Sequence, residues 1–360
     1  MLQKLMSIKQ LASQTRQLED RLRRHGVEGE EAFYALAFRY VVHFDDLLKN
    51  PPERLVSRGK AAFQRIEDDA GLVAFLDWMI LPDNAGENLP IWYQHFVGRR
   101  FREGSGKFFT PRPIASAMAN LIPRKSDAVV MDPTCGGGTF LLEASRTLQA
   151  LPCHLVGNDI EQSLADLAGI VLDLGTPDNH KKSFITCNIY DPDSRLTDWY
   201  GRVDYILANP PFSLHIDAVP SGSVLFALGY RNSDALFLDV CVNLLRRGGR
   251  LVCLLPHSIV ANAEFTRLRA AIEESWVLRG VIGMPEGAFH VTASTTTRAD
   301  IVILDKRDGR RGSDVARVFA FSPAVGIPLN GRMRDVADND LMNIARDPSV
   351  VAALGTEPGA

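Results

Sequence analysis

Four consecutive residues with distinctive chemistry, Asn209–Phe212 (Asn-Pro-Pro-Phe), follow an apolar run at Val203–Ala208. The run predicts a buried strand of a parallel sheet, so the loop lies past a strand's carboxyl end, where open α/β sheets bind their ligands. Two prolines fix two φ angles and remove two backbone donors. What remains is an Asn amide, carbonyl oxygens and an aromatic ring. These groups suit the binding of a planar amine by hydrogen bonds and stacking, although an ordinary Pro-rich turn contains the same residue types.

Polar side chains end three other predicted strands. The strand Val129–Asp132 leads into a loop with three consecutive glycines, Gly136–Gly138, and then into a helix. Glycines let a ligand approach the backbone, and a helix N-terminus directs N–H groups toward it. Asp159 ends the next strand, 27 residues after Asp132, about the spacing at which a βαβ unit offers a carboxylate to a ribose. Asn188 ends a third strand, so four polar strand ends predict one ligand crevice.

The elements around this crevice divide the chain into regions of different pattern. Residues 1–100 have apolar residues at helical spacing, broken by proline, and one predicted helix covers residues 61–80. From residue 128 strands alternate with helices, which predicts an α/β fold with a mostly parallel sheet and helices on both faces. The last residues, after about Asp347, read as a frayed tail.

The amino-acid composition indicates a globular protein and argues against a membrane protein, a zinc protein or a disulfide-rich protein. The 360 residues are 46% hydrophobic and 23% charged, as in soluble globular proteins. The chain lacks the run of about 18–20 apolar residues that a membrane span needs. The N-terminus lacks a secretory signal pattern, so we expect a cytoplasmic protein. The five cysteines form no C-x-x-C pair, which argues against a zinc site or a disulfide framework. The net charge of −3 means that a nucleic-acid partner needs a local basic patch.

A basic, Gly-rich segment over residues 98–107 is the candidate for that patch. Four of its side chains are candidate phosphate contacts, and a solvated basic turn is the alternative. These side chains are Arg99, Arg100, Arg102 and Lys107. Directly after the segment, Thr110 as the N-cap and Pro111 at the first position predict the start of a helix.

Together these stretches resemble the S-adenosylmethionine-dependent amino-methyltransferases of DNA, and most closely the modification (M) subunit of type I restriction–modification systems. The matching stretches are residues 107–112 (KFFTPR), 131–141 (MDPTCGGGTFL), 157–159 (GND), 209–212 (NPPF), 234–238 (DALFL), 247–252 (RGGRLV) and 283–289 (GMPEGAF). They span about residues 98 to 305, and their order is that of the family's gamma arrangement.

The resemblance implies a Rossmann-like seven-stranded methyltransferase sheet, mostly parallel with one antiparallel strand, beside an N-terminal all-α domain. The implied domains are residues 1–100 (helical), 101–325 (methyltransferase) and 326–360 (tail). The implied catalytic residues are Asn209, Pro210, Pro211 and Phe212. The implied residues for S-adenosylmethionine are Phe108, Phe109, Thr110, Asp132, Pro133, Cys135, Gly136, Gly138, Asp159, Ile160 and Asn188.

Roles for these residues follow from their chemistry. The helix N-terminus after the glycines faces the amino-acid end of the cofactor, and Asp159 accepts from the ribose hydroxyls. Asn188 and Ile160 bind the cofactor's adenine, and the resemblance implies that the segment 108–110 closes over its methionine part. Asn209 and the Pro210 carbonyl accept from the N6 amine of a flipped-out adenine.

The chain departs from the family at three positions. Family members usually have Ser or Thr at position 137 and Gly at 139, where this chain has Gly and Thr. The ribose acid is more often Glu than Asp, and position 188 is often Asp.

We expect DNA as the substrate and a hetero-oligomer as the working form. Only about 50 residues follow the last predicted strand, fewer than a target-reading domain needs. A separate specificity (S) subunit and, in some assemblies, a restriction subunit are therefore the expected partners. Two alternatives stay open. The first is a methyltransferase for another planar amine, in protein glutamine or an rRNA base. The second is a cofactor-binding scaffold without turnover, and its support is that the chain has Gly at 137 and Thr at 139.

Overall fold

A computed structural model describes residues 8–44, 46, 48, 51–80, 85–97, 109–219, 222–289, 298–309, 315–329 and 338–356 of the chain. No helix within these ranges is long and apolar enough to cross a membrane.

The N-terminal region is helical, as its periodicity predicts. Its helices are α1 (Ile8–Arg24), α2 (Gly29–His43), α3 (Glu53–Phe63), α4 (Ala70–Met79) and α5 (Ala85–Phe96). The guanidinium of Arg39 joins α2 to α4 through two hydrogen bonds to Asp77, at 2.7 and 2.8 Å. The single helix predicted over residues 61–80 is wrong. Asp69 accepts a hydrogen bond from the backbone N–H of Leu72 at 2.9 Å, and this N-cap starts a separate helix.

The rest of the chain forms one sheet flanked by helices. The strands are β1 (Ala128–Asp132), β2 (Cys153–Asp159), β3 (His180–Thr186), β4 (Val203–Ala208), β5 (Leu245–Pro256), β6 (Trp276–Gly283), β7 (Ala299–Lys306) and β8 (Val318–Phe321). The helices are α6 (Arg112–Ala119), α7 (Thr139–Leu148), α8 (Gln162–Gly175), α9 (Val224–Ala227), α10 (Ser233–Leu244), α11 (His257–Ala261), α12 (Thr266–Ile272), α13 (Asp340–Arg346) and α14 (Pro348–Leu354).

The strand order is β3-β2-β1-β4-β5-β7-β6-β8. Only β7, among the described strands, runs antiparallel to its neighbours, β5 and β6. This confirms the predicted class of sheet, with eight strands instead of seven because β8 adds in parallel to the edge strand β6. The chain leaves β1 toward β2 and β3 on one side and returns through β4 and β5 on the other. The topological switch point, where such sheets bind ligands, therefore lies between β1 and β4.

Both faces of the sheet are buried, which explains the continuous apolar runs of its strands. Alternate residues of a strand point to opposite faces. One face carries Val130, Leu155, Leu207 and Val252, which share a core with the N-terminal helices, α7 and α8. The opposite face carries Met131, Val156, Ile206 and Leu251, which share a core with α10 and α12.

The C-terminal end packs against the sheet, so the predicted fraying after Asp347 is wrong for residues up to Thr356. Val350 and Leu354 of α14 are buried. The buried guanidinium of Arg250, on β5, donates to the carbonyl of Leu354 at 2.8 Å and pairs with Asp305 on β7. The chain end is thereby bonded to two central strands. The domain boundaries at residues 100 and 325 stay predictions.

Candidate active site

The predicted polar residues lie at the carboxyl edge of the sheet. In the parallel register Asp132 of β1 is opposite Gly157 of β2, and Asp159 of β2 is opposite Thr186 of β3. Asn209 follows β4 directly. Strand β4 pairs with β1 on the side of β1 that faces away from β2. The loops after β1, β2, β3 and β4 therefore line one edge, with the β1 and β4 loops on either side of the switch point.

The carboxylate of Asp159 joins two of these loops. Its Oδ2 accepts from the backbone N–H of Gly136 at 3.1 Å, and its Oδ1 accepts from that of Glu161 at 2.9 Å. Gly136 and Gly138 have φ angles of 50° and 80°, a conformation that favours glycine. Gly138 caps α7 and orients its first N–H groups. Each carboxylate oxygen has two lone pairs, so these bonds are compatible with a role toward ribose hydroxyls.

Asp132 is buried at the centre of the crevice, with 1% of its surface exposed. Its Oδ1 accepts from the backbone N–H of Thr134 at 3.0 Å, whereas its Oδ2 has no hydrogen-bond partner within the described part of the chain. Burial raises the pKa of Asp132 from an ordinary 3.8 to about 8, and the nearby charge of Asp159 adds to this effect.

The raised pKa of Asp132 predicts a specific pH dependence of stability. Between pH 3.8 and about 8 the folded chain keeps the proton that the unfolded chain has released. The stabilisation from the protonated form is complete below that window and is lost as the pH rises through it. Relative to wild type, the non-titrating D132N variant should therefore gain unfolding free energy with pH, by up to about 1.4 kcal/mol per unit. Urea unfolding of both proteins across this window measures the difference, in which other titrating groups cancel. Parallel pH profiles would contradict the assignment.

Asn158 is a buried residue of the site to which the sequence analysis assigned no role. Its Nδ2 donates to the carbonyls of Pro133 at 2.9 Å and Cys187 at 3.1 Å, and its Oδ1 accepts from the backbone N–H of Cys187 at 3.2 Å. Its own carbonyl accepts from the backbone N–H of Cys135 at 2.7 Å. Asn158 therefore joins β2 to the loops after β1 and β3. The only signal in the sequence was an Asn directly before the terminal acid of a strand.

The two residues predicted to bind the cofactor's adenine stand at the surface. Ile160 follows Asp159 with 53% of its surface exposed, which is unusual for Ile and leaves an apolar face for a ligand. Asn188 is exposed, and its Oδ1 accepts from the backbone N–H of Tyr190 at 3.0 Å. This bond orients the Asn188 amide, so its predicted acceptor oxygen already has one donor.

The loop after β4 is held from behind by the start of α10. The hydroxyl of Ser233 donates to the carbonyl of Pro211 at 2.7 Å. The carboxylate of Asp234 accepts from the backbone N–H of Ser213 at 3.0 Å, where the backbone turns with a φ of 58°. Phe212 is half-buried against the first core. The sequence motif at 234–238 therefore has a structural role that the motif reading did not assign: it supports the Asn-Pro-Pro-Phe loop.

Thr110 is placed differently from the prediction. The N-cap of α6 is Pro111, and the helix begins at Arg112, so Thr110 is not the helix cap. Its hydroxyl instead accepts a hydrogen bond from Nδ2 of Asn209 at 3.1 Å. Phe109 is half-buried against the glycine loop. Phe108, Arg99, Arg100, Arg102 and Lys107 lie outside the described residues.

The N-terminal helices form part of the site's wall. The ring of Tyr93, on α5, meets Phe109 edge to face with centroids 6.0 Å apart, and its hydroxyl lies 3.1 Å from that of Ser163 at the start of α8. A Cβ on Gly137 would lie 3.1 Å from Phe109 and from Pro90 of α5. Glycine at 137 therefore permits Phe109 and α5 to pack closely on the loop. The α-helical region is bonded to the residues that follow Asp159.

Comparison with known proteins identifies the family. The family model described as N-6 DNA Methylase matches residues 93–328, which include every loop of the site. The chain belongs to the N-6 DNA methylase family. The match confirms the resemblance inferred from the motifs and, at the level of the family, the predicted enzyme class and S-adenosylmethionine cofactor.

Individual relatives of this N-6 DNA methylase are distant. The type II methyltransferase M.VspI of Vibrio sp. is 24% identical over 245 residues, which are 64% of this chain and 56% of that protein. The type I restriction enzyme EcoKI methylase subunit of Escherichia coli is 24% identical over 213 residues, 54% of this chain and 40% of that protein. The chain thus spans about half the length of these relatives. In fold, it is similar to the type I restriction-modification system methyltransferase subunit from Streptococcus thermophilus, with a TM-score of 0.57 at 19% identity, covering 94% of this chain and 73% of that one.

Proposed function

We propose that this chain transfers the methyl group of S-adenosylmethionine to the N6 amine of adenine in DNA, as the modification subunit of a type I-like restriction–modification complex. The observation that carries the proposal is the position of Asn209 across the switch point from the glycine loop. An amide acceptor for an amine and a cradle for the methyl donor then share one crevice.

The residues of the crevice fit the cofactor. The glycine loop and the first N–H groups of α7 suit its amino-acid end, because glycines let a ligand approach the backbone and a helix N-terminus offers N–H donors. Asp159 suits the ribose, and Ile160 with Asn188 suits the adenine. The orphan Oδ2 of Asp132 is a buried polar atom that a ligand's polar group satisfies. Bound S-adenosylmethionine supplies a methyl group on a sulfonium, which is already an activated electrophile.

The protein's task is then to improve a weak nucleophile. The N6 amine of adenine is conjugated with its ring, and hydrogen bonds from it to Asn209 and to the Pro210 carbonyl draw electron density onto nitrogen. The prolines keep the acceptors in place. The ring of Phe212 stacks on the flipped base and contributes about 1–3 kcal/mol. No base is required before transfer, because the proton leaves the nitrogen after methylation.

We further propose that a separate specificity subunit delivers the base, with a restriction subunit in some assemblies. The support is that several relatives are methylase subunits of type I restriction enzymes. The basic side chains of the segment 98–107 are the proposed phosphate contacts. An enzyme of this kind works in the cytoplasm, where its DNA substrate lies.

The first experiment compares methylation by the purified chain with methylation by the chain and a specificity subunit together. The purified chain should bind S-adenosylmethionine yet methylate duplex DNA slowly, and a co-expressed specificity subunit should raise sequence-specific methylation on the order of 100-fold or more. Labelled methyl transfer to DNA, RNA and protein substrates measures this and tests the other amines. Robust sequence-specific methylation by the chain alone would refute the partner, and transfer only to RNA or protein would refute the substrate.

A further inference from the structure

Thr110 and Asn209 are 99 residues apart in the chain and meet at the site. Thr110 is 8% exposed, and Nδ2 of Asn209 donates to its hydroxyl at 3.1 Å. The hydroxyl does not cap α6, whose N-cap residue is Pro111. A buried hydroxyl beside the amide of Asn209 therefore calls for a reason other than helix capping.

The chemistry of an Asn amide supplies that reason. One end of the amide is an acceptor oxygen and the other is a donor NH2 group, and the two are nearly equal in size. The amine of adenine donates hydrogen bonds, so only the oxygen end binds it. If the amide were rotated by half a turn, two donors would face each other. The bond from Nδ2 to Thr110 occupies the donor end and directs Oδ1 away from Thr110.

The surroundings restrain the backbone on both sides of Asn209. Its backbone follows β4 directly, and two prolines restrict the next two residues. The bonds from Ser233 to the Pro211 carbonyl and from Ser213 to Asp234 hold the rest of the loop. The loop places the Asn209 amide, and the bond to Thr110 restrains the rotation of that amide with Nδ2 toward Thr110.

We propose that Thr110 is a positioning residue for Asn209, holding its amide through the Nδ2 bond in the orientation that leaves Oδ1 for the target amine. This inference rests on the proposed role of Asn209 in methyl transfer. It assigns to Thr110 an action on the acceptor side of the reaction, in addition to its place in the wall of the cofactor site.

The test compares T110V, which keeps the shape but lacks the hydroxyl, with T110S, which keeps the hydroxyl, in the complex with the specificity subunit. T110V should lower kcat about tenfold, the effect of one lost hydrogen bond, while the Kd for S-adenosylmethionine stays within about twofold. T110S should restore most of the lost rate. In an N209A background, T110V should lower the residual rate no further.

Three results would overturn the proposal. Equal losses in T110V and T110S would mean that the side chain acts through packing. A rise in the Kd for S-adenosylmethionine that accounts for the whole defect would place Thr110 on the cofactor alone. An unchanged kcat in T110V would remove any effect of the hydroxyl.

A measurement without turnover separates this proposal from the proposed function. In the ¹⁵N-labelled chain, the side-chain amide signal of Asn209 is the one that N209A removes. T110V should shift this signal and T110S should leave it close to its wild-type position. If the wild-type complex methylates no DNA but the signal behaves in this way, the proposed function fails and the contact stands. If T110V does not move the signal, the proposal fails regardless of activity.

Discussion

Methyl transfer by the N209A variant is expected to fall on the order of 100-fold or more, as when one preorganised hydrogen-bonding group is removed from an active site. The amide of Asn209 is the acceptor that we assign to the target amine, and alanine removes it without adding bulk. Binding of S-adenosylmethionine should change little, because none of the residues proposed to bind the cofactor lies in the loop after β4. Single-turnover rates and cofactor titration of the same preparation give the two quantities.

N179A provides a matched control for this variant. Asn179 is exposed and precedes β3, at the edge of the sheet opposite the site, and its side chain bonds only to the carbonyl of Ala150 among the contacts described. N179A should methylate at the wild-type rate. If N209A kept its activity, or if its whole defect came from weaker cofactor binding, the role of Asn209 as the amine acceptor would be wrong.

The D159A variant should raise the Kd for S-adenosylmethionine on the order of 100-fold, because hydrogen bonds to a carboxylate are worth about 1.5–3 kcal/mol each. Two effects act together. The ribose loses its acceptor, and the backbone N–H groups of Gly136 and Glu161 lose theirs, so the glycine loop is released as well. Isothermal titration of the isolated chain with the cofactor measures the change without any requirement for DNA or a partner.

D159E and D173A are the control variants for the effect of D159A on cofactor binding. D159E restores the carboxylate that the family more often has there, one methylene longer, and should recover a large part of the affinity. D173A removes an acid from the far end of α8, where Asp173 pairs with Lys182 at 2.9 Å, and should bind the cofactor as wild type does. Wild-type affinity in D159A would exclude the ribose role, and equal losses in D159A and D173A would point to a general effect of charge.

The residues that sequence reasoning placed correctly are those whose signal is local. The apolar run at Val203–Ala208 became β4 with the predicted bounds, and Cys153–Asp159 became β2. Asp159 ends β2 and Asn209 follows β4 directly, because a buried strand stops where its side chains reach solvent or a ligand. The glycines at 136 and 138 have the positive φ angles that glycine favours.

The residues that sequence reasoning misplaced are those whose partners are distant in the chain. Thr110 fits an N-cap by its neighbours, yet its hydroxyl bonds to Asn209. The last helix was predicted as a frayed tail, yet Arg250 of β5 donates to the carbonyl of its Leu354. Asn158 was noted only as part of the matching stretch 157–159, yet its side chain joins β2 to the loops after β1 and β3.

The sequence by itself therefore determined the type of sheet, the bounds of β2 and β4 and the family, because period, turn residues and short motifs are properties of contiguous residues. It placed the end of the third strand at Asn188, whereas β3 ends at Thr186. Only the tertiary structure decided how the strand-end groups are oriented: Asp159 accepts from the glycine loop, Asp132 is buried, and Asn209 donates to Thr110. The physical reason is that a hydrogen bond between segments 20 to 100 residues apart depends on the packing of the whole sheet. No local pattern along the chain records which of several acceptors a donor will meet.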